Sequence, residues 1–228
     1  MPRRAPRTDR RGVAGDRPRG ARGDSGQPEP PAGPRIIGGS LRGRRLDYVP
    51  EAGAEGGPAR TRPMKDRVRE TLFDLLGPTV KDRVAIDLFA GTGALGFEAL
   101  SRGATRAIFV ERHFPTADAL VRSAAALGVS AATDVRPGDA LTWAKRLPAD
   151  LPRSSPWVVF ISPPWTFFTD RAADIRALAT ALVGAAPPGS TFVVESDAAF
   201  DAAILPDAPT WRRHDISPAV LYLLEGLV

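Results

Sequence analysis

Three glycines and a nearby acid form the first group whose spacing could support binding chemistry. Gly91, Gly93 and Gly96 follow a short apolar run that contains Asp87, and a helical pattern resumes after them. Glycine reaches backbone conformations that other residues avoid. Its missing Cβ also lets a ligand approach the free N–H groups at the start of a helix. The segment predicts a strand, a glycine turn and a helix that together bind a nucleotide-like cofactor.

A second acid lies about 20 residues beyond the turn. Glu111 ends the next apolar run, and an acid at this spacing can bind the hydroxyl groups of a ribose. NAD and S-adenosylmethionine (SAM) both fit this pattern. The match to G-x-G-x-x-G is weak by itself in a chain with 22 glycines, and a purely structural turn is the alternative.

A third group follows the apolar run at residues 157–161. Ser162, Pro163, Pro164 and Trp165 stand where a buried parallel strand would end, at the sheet edge where α/β proteins bind ligands. Two prolines would stiffen the backbone and fix outward-facing carbonyl groups, and the tryptophan would present an aromatic ring. A stiff loop with a packed tryptophan is the structural alternative.

These three groups depend on elements that alternate along the chain. Apolar runs predict strands and amphipathic patterns predict helices, which together favour a doubly wound parallel α/β sheet with a terminal antiparallel pair. Besides the strand before the glycine turn, the predicted strands are 107–110, 133–136, 157–161, 191–195, 211–216 and 220–224. The predicted helices are 61–77, 93–102, 115–127, a short one after Gly138 and 170–183.

The N-terminal part has a different composition. Residues 1–34 hold 8 Arg, 7 Pro and 6 Gly, which predicts a disordered basic tail. Residues 35–60 predict a basic β-hairpin and a linker, and residues 61–228 form the predicted main domain. In the helix at 61–77, the apolar side chains share one face, and Arg69 is expected with the other basic residues away from it.

Charge is concentrated in the same region. Net charge is +5, but residues 1–70 carry 17 basic and 9 acidic side chains, against 14 and 17 in the remainder. This asymmetry favours a polyanion as partner, with nucleic acid as the first candidate, while a solvated tail is the alternative. The candidate RNA-binding residues are Arg35, Arg42, Arg44, Arg45, Lys65 and Arg67.

Composition also excludes several kinds of chemistry. The chain has no cysteine, so thiolate nucleophiles, thiolate metal sites and disulfides are excluded. His113 and His214 lie far apart, so we expect neither a metal site nor a histidine-based triad. No apolar run approaches 18 residues and no signal-like segment is present, so we expect a cytoplasmic protein without a membrane span. We also expect a monomer.

Together these features resemble the class I SAM-dependent methyltransferases, specifically the amino-methyltransferases whose fourth strand ends in (Asp/Asn/Ser)-Pro-Pro-aromatic. Segments 35–39, 42–46, 62–63, 66–73 and 87–104 are similar to the RsmD family, which methylates guanine N2 in small-subunit (16S) ribosomal RNA. The resemblance implies a Rossmann-like, seven-stranded, mostly parallel sheet with helices on both faces. It also implies SAM as cofactor and ribosomal RNA or the small ribosomal subunit as partner.

The resemblance also implies roles for particular residues. Ser162, Pro163, Pro164 and Trp165 would hold the target base, with the Pro163 carbonyl and the Ser162 hydroxyl accepting hydrogen bonds from its amine. The implied cofactor-binding residues are Arg62, Asp87, Phe89, Gly91, Gly93, Glu111, Asp139 and Ala140.

One departure from the family pattern concerns the target base. The family typically has Asp where this chain has Ser162, and Ser162→Asp is therefore expected to keep or raise activity. Alternatives that share these motifs are methylation of cytosine N4 or adenine N6 in RNA or DNA, a dehydrogenase, and a non-catalytic SAM- and RNA-binding homologue.

Overall fold

Seven strands and six α-helices make up the computed structural model, which describes residues 33–49, 66–147, 149, 151–207 and 210–226. The strands are β1 (Val84–Asp87), β2 (Arg106–Glu111), β3 (Thr133–Pro137), β4 (Trp157–Ile161), β5 (Thr191–Ser196), β6 (Arg212–Ile216) and β7 (Ala219–Leu224). The helices are α1 (Asp66–Leu76), α2 (Ala94–Ser101), α3 (Phe114–Leu127), α4 (Ala140–Ala144), α5 (Phe167–Asp170) and α6 (Ala172–Ala185).

All seven strands join one sheet in the order β3-β2-β1-β4-β5-β7-β6. Strands β1 to β5 pair in parallel, and β7 pairs antiparallel with both β5 and β6. The chain winds outward from β1 in one direction and then from β4 in the other, so β1 and β4 flank the point where the strand order reverses. The predicted mostly parallel, seven-stranded sheet with its antiparallel end is confirmed.

Alternate residues of the central strands face opposite sides of the sheet, and each side has its own hydrophobic core. On one side Ala85 and Phe160 pack with residues of α1, α2 and α3. On the other side Ile86 and Val159 pack with residues of α4 and α6. Because both faces are covered, β4 contains only apolar residues and all of them are buried. The expected helices on both faces are therefore present.

The paired strands of the hairpin at residues 33–49 are shorter than predicted. The hairpin is nevertheless part of the core. Arg35 and Arg45 form an isolated antiparallel bridge, and the Ile36 amide donates to the Arg44 carbonyl at 2.9 Å. Ile36 and Leu46 are 1% and 3% exposed and pack in the cluster that contains α1 and α2. Residues 1–32 of the predicted tail and the linker at 50–60 lie outside the described residues, so the domain boundaries stay a prediction.

The hairpin changes the environment of one side of α1. Arg69, predicted to lie off the apolar face of the helix, is fully buried. Its guanidinium donates to the Arg35 carbonyl at 2.6 Å and to the Asp66 carboxylate at 2.9 Å. Burial lowers the pKa of Arg69, and the nearby Asp66 and Glu98 oppose that shift. The helix periodicity could not indicate this, because the segment that covers Arg69 lies about thirty residues earlier.

The helices otherwise follow the predicted pattern with shifted ends. The predicted first five residues of α1 lie outside the described residues. The helix predicted at 170–183 is α6, which begins at Ala172; the short α5 precedes it, and Arg171 between them leaves the helical conformation. Among the residues that the structure describes, no helix is both long and apolar enough to cross a membrane.

Candidate active site

The glycine turn joins β1 to α2 and depends on its glycines in two different ways. Gly91 and Gly93 have φ angles of +49° and +74°, which favour glycine. A Cβ at Gly93 would also lie 2.5 Å from the Leu120 side chain. A Cβ on Gly96 would lie 2.3 Å from the Phe109 ring, so Gly96 allows α2 to pack closely on β2. The first two glycines shape the turn, and the third serves packing.

Asp87 is the acid at the end of β1, and it is only 2% exposed. Its carboxylate accepts a hydrogen bond from the Gly96 amide at 3.1 Å, and it forms no ion pair within the described residues. Burial raises the pKa of Asp87 to about 7. The charges of Glu111 and Glu195 add to the shift, and the Gly96 hydrogen bond opposes it. A buried carboxylate without a cation, beside a glycine turn, suits the positively charged amine of a ligand.

Glu111 is held against the same turn by backbone amides. One carboxylate oxygen accepts from the Gly91 amide and the other from the His113 amide, each at 2.8 Å. Each oxygen keeps a second acceptor position, as binding of two ribose hydroxyls would require. A cleft opens here, lined in part by Thr92, Glu111 and Tyr48. This combination of acid, glycine turn and space fits SAM.

Other predicted cofactor residues lie around the same edge. Asp139 follows β3 and caps α4, accepting from the Thr142 amide at 2.9 Å, and Ala140 behind it is buried. Phe89 packs edge-on against Phe167, with ring centroids 6.3 Å apart. Arg62 lies outside the described residues. The binding roles of these residues stay predictions.

The Ser-Pro-Pro-Trp turn leaves β4 at the same edge of the sheet. The Pro164 and Trp165 carbonyls accept from the amides of Phe167 and Phe168, at 2.8 and 3.1 Å, which turns the chain into α5. Within the described residues, the Pro163 carbonyl has no hydrogen-bond donor. The Trp165 side chain is exposed at 37% relative area. The turn thus offers a rigid acceptor beside an accessible aromatic ring.

Ser162 has a partner that the sequence reasoning missed. Its hydroxyl donates a hydrogen bond to the Glu195 carboxylate, which lies near the end of the neighbouring strand β5. Glu195 is 8% exposed; burial raises its pKa, and the hydrogen bond from Ser162 opposes that shift. The available signal was an acid near the end of the otherwise apolar run at 191–195, because parallel strands end at one edge of the sheet.

The glycine turn and the Ser-Pro-Pro-Trp turn lie next to each other at the point where the strand order reverses. β1 and β4 are direct neighbours, and Asp87 is paired in register with Phe160, two residues before Ser162. In open α/β sheets, ligands bind in the crevice outside the carboxyl ends of the strands at this point. The glycine turn and the Ser-Pro-Pro-Trp turn therefore border one crevice.

A cluster of rings and cations, not predicted from the sequence, lies beside this crevice. The guanidinium carbons of Arg112 and Arg171 each lie 5.8 Å from the centroid of the Phe167 ring. Phe89 touches the same ring, so the loops after β1, β2 and β4 converge here. Cation–π contacts of this kind hold the rings and cations together at the edge of the site.

The predicted RNA-binding arginines differ in whether their guanidinium groups already contact other parts of the protein. Arg35, Arg42, Arg44, Arg45 and Arg67 are all exposed, whereas Lys65 lies outside the described residues. Arg44 donates to the Ala126 carbonyl at 2.5 Å, Arg45 donates to the Gly33 carbonyl at 3.2 Å, and Arg35 lies 3.6 Å from Asp66. Over the described ranges, the guanidinium groups of Arg42 and Arg67 have no protein partner. Their RNA-binding roles stay predictions.

No group of three or more metal-ligating side chains is found among the residues described in the structure.

The sheet order and the two turns define the class of the protein. The Thermus thermophilus 16S rRNA N2 G1207 methyltransferase RsmC has the same fold, with a TM-score of 0.61 at 19% sequence identity. The superposition covers 86% of this chain and 50% of that one. The chain therefore has the Rossmann-like class I methyltransferase fold.

A match to one family model identifies the family within this fold class. The model described as conserved hypothetical protein 95 matches residues 34–215, and the chain belongs to that family. The resemblance to the RsmD family that the sequence indicated is thereby confirmed.

Individual relatives agree with this placement. Ribosomal RNA small subunit methyltransferase D of Escherichia coli K12 is 45% identical over 93 residues, which is 41% of this chain and 43% of that protein. The matched segments span 40% to 64% of the lengths of the curated relatives. The solved structure of Escherichia coli yhhF has a TM-score of 0.65 and 29% identity, and covers 85% of this chain and 98% of its own.

Proposed function

We propose that this protein is a SAM-dependent methyltransferase that modifies the exocyclic N2 of a guanine in small-subunit (16S) ribosomal RNA. The observation that carries the proposal is the position of the two turns. A glycine turn with a buried, uncompensated Asp87 and a Ser-Pro-Pro-Trp turn border one crevice at the reversal point of the sheet. The names of the curated relatives support ribosomal RNA as the substrate.

Asp87, the glycine turn and Glu111 would hold the cofactor. The carboxylate of Asp87 would pair with the cationic methionine portion, and the two free acceptor positions of Glu111 would bind the ribose hydroxyls. SAM, when bound, supplies an electrophilic methyl group. The protein then needs no nucleophile of its own, which agrees with a chain that has no cysteine.

The Ser-Pro-Pro-Trp turn would hold the target amine. An exocyclic amine is a poor nucleophile while its lone pair is delocalised into the ring. Hydrogen bonds from its N–H groups to the Pro163 carbonyl and the Ser162 hydroxyl would orient it and accommodate the positive charge that develops. Acceptors fixed in advance lower the barrier because they need no reorganisation during the reaction. The rigid turn and the unoccupied Pro163 carbonyl suit this role.

Trp165 and the basic N-terminal surface would engage the RNA. An exposed tryptophan beside two acceptors can stack on an unpaired base, which contributes about 1–3 kcal/mol per base. Arg42 and Arg67 have guanidinium groups without protein partners in the described ranges, so they are available to phosphates. We place the protein in the cytoplasm, acting as a monomer on naked RNA or on the small subunit.

The test is to identify the methylated nucleoside directly. The purified protein is incubated with methyl-labelled SAM and, separately, with unmodified small ribosomal subunits, naked ribosomal RNA and double-stranded DNA. The substrates are then digested and the labelled nucleosides are separated. We expect label in N2-methylguanosine from the ribosomal substrates. Label in N4-methylcytidine or N6-methyladenosine would overturn the target atom, and SAM binding without any label would indicate a non-catalytic homologue.

A further inference from the structure

The hydrogen bond between Ser162 and Glu195 assigns a role to a residue outside the recognised motifs. We propose that Glu195 is a positioning residue for methyl transfer: its carboxylate accepts the hydrogen bond of the Ser162 hydroxyl and so turns the lone pairs of Ser162 toward the target amine. This inference rests on the proposed methyltransferase function. It requires that Glu195 be ionised and that the Ser162 oxygen be accessible from the crevice; Ser162 follows β4 at the carboxyl edge of the sheet and is partly exposed.

The argument begins with the ambiguity of a hydroxyl group. A serine can donate or accept a hydrogen bond, whereas the amine of the target base needs an acceptor. An ionised carboxylate can only accept hydrogen bonds. A hydroxyl that is hydrogen-bonded to it must therefore be the donor, which leaves the hydroxyl oxygen free to accept. Glu195 therefore fixes the direction of the Ser162 hydrogen bond before the base arrives.

The sheet places the carboxylate where this is possible. Ile161 and Val194 are paired in register on β4 and β5, so the next residues, Ser162 and Glu195, lie side by side at the carboxyl edge. A negative charge behind the hydroxyl also strengthens its oxygen as an acceptor. The chain thus supplies from β5 a carboxylate beside the turn that follows β4.

The surroundings of Glu195 argue against a purely structural ion pair. Within the described residues Glu195 forms no salt bridge, and its side-chain hydrogen bond is to Ser162. Its neighbour across β7 is Leu221, which is apolar, and the charge that reaches it from β1 is the like charge of Asp87. A buried carboxylate without a cation is costly, and such groups concentrate at functional sites.

This arrangement revises the expectation for Ser162→Asp. A carboxylate at position 162 would lie directly beside the buried carboxylate of Glu195, and two like charges at that distance cannot both ionise easily. We therefore expect Ser162→Asp alone to lower the turnover number about tenfold or more. Adding Glu195→Gln should restore it to near the wild-type value, because one carboxylate then remains at the site.

The experiment compares Glu195→Gln with wild type on unmodified small subunits. We expect kcat to fall about tenfold while SAM affinity and the melting temperature stay within error. The wild-type kcat should also decline at acid pH as Glu195 becomes protonated. The part of that decline due to Glu195 should be absent in Glu195→Gln, because glutamine does not titrate; saturating SAM keeps the contribution of Asp87 the same in both proteins. An unchanged kcat and pH profile in Glu195→Gln would overturn the inference.

Ser190→Ala is the matched structural control. Ser190 also joins β4 and β5, accepting from the Trp157 amide at 2.8 Å, but at the opposite end of these strands. This variant should lose stability and keep the acid decline of kcat. If Glu195→Gln behaved in the same way, Glu195 would have a structural role only.

A separate measurement tests the contact without turnover. Carbon-detected NMR of the side-chain carboxyl would follow the titration of Glu195 in wild type and in Ser162→Ala. Since the hydrogen bond from Ser162 favours the ionised form, its removal should raise the pKa of Glu195. An unchanged titration would refute the contact itself. A raised pKa together with an inactive wild-type protein would instead refute the proposed function and, with it, the catalytic role of Glu195.

Discussion

The ionised form of the Asp87 side chain is less favourable in the folded protein than in water. Its pKa of about 7 lies above the ordinary value of 3.8, because the side chain is buried. Between these two values the folded protein binds a proton that the unfolded chain has lost. Stability therefore falls as pH rises from about 4 to 7 and stays reduced above that range, by up to about 4 kcal/mol. A bound cationic ligand would relieve this cost.

The first prediction follows for Asp87→Asn. The variant should unfold at a higher temperature than wild type at pH 8 and should show a weaker pH dependence between pH 4 and 7. It should also bind SAM far more weakly, because the buried charge is gone. Thermal unfolding across this pH range and calorimetric titration with SAM measure both effects. Asp74→Asn, on the exposed side of α1, is the control. Reduced stability of Asp87→Asn at pH 8 would contradict this account.

The second prediction concerns Trp165, whose ring is accessible beside the two acceptors. Trp165→Ala should weaken RNA engagement by about 1–3 kcal/mol, seen as a higher KM for the ribosomal substrate. SAM affinity should not change, and Trp165→Phe should recover most of the loss. Val121→Ala removes another exposed apolar side chain, on α3, and serves as the control. Equal losses in SAM and RNA binding would show that Trp165 shapes the cofactor site instead.

At the scale of elements, one carboxylate joins the hairpin to the helix that follows the glycine turn. Glu98 of α2 is fully buried and accepts from the amides of Ile37 and Gly38, both at 2.8 Å. It also accepts from Arg102 at 2.9 Å, and the buried Arg69 lies 3.9 Å away. The hairpin is thus held by a charge network rather than by strand pairing.

The third prediction is that Glu98→Ala strongly destabilises the protein. The substitution leaves two hairpin amides without their acceptor and removes one of the two acids near the buried cation of Arg69, which keeps its hydrogen bond to Asp66. Breaking a buried pair of this kind costs about 3–5 kcal/mol in comparable cases. Chemical denaturation measures the loss. Glu70→Ala removes an exposed acid from α1 and should change stability by less than about 0.5 kcal/mol. A similar small effect for Glu98→Ala would mean that apolar packing and the hydrogen bonds to Ser101 and Ser123 hold the hairpin without it.

At the scale of the whole molecule, charge is unevenly divided between the basic N-terminal part and the slightly acidic remainder. On the proposed function, such a division would orient the protein on a polyanion before specific contacts form. The fourth prediction is that replacing Arg42 and Arg67 together with Gln reduces the salt dependence of RNA affinity. Each lost phosphate contact should lower the slope of log K against log salt by about 0.7–0.9.

Binding of unmodified ribosomal RNA measured between low and moderate salt gives these slopes. Arg44→Gln is the comparison, since the Arg44 guanidinium already donates to the Ala126 carbonyl. It should change the slope less than either free arginine and lower stability slightly. An unchanged slope in the double variant would remove the hairpin and α1 from the RNA-binding surface.

The fold was predictable because local patterns determine it. The apolar runs at 84–87 and 157–161 indicated buried parallel strands, and the glycines after Asp87 indicated where one helix begins. The partners of Arg69 and Ser162 were not predictable in this way, because both are supplied by segments distant in sequence. A hydroxyl in place of the family carboxylate left a non-catalytic homologue as one alternative, and the sequence could not show that Glu195 lies beside Ser162.

The attachment of the hairpin also sets a lower limit on the size of an independently folding fragment. A protein shortened to begin at Asp66 would keep every strand of the sheet but would uncover Arg69 and Glu98 and remove Ile36 and Leu46 from the core. Limited proteolysis and deletion series should therefore find no well-folded product that starts at α1. For crystallisation or NMR, the useful boundary lies before residue 33, although the glycine turn proposed to bind the cofactor begins more than fifty residues later.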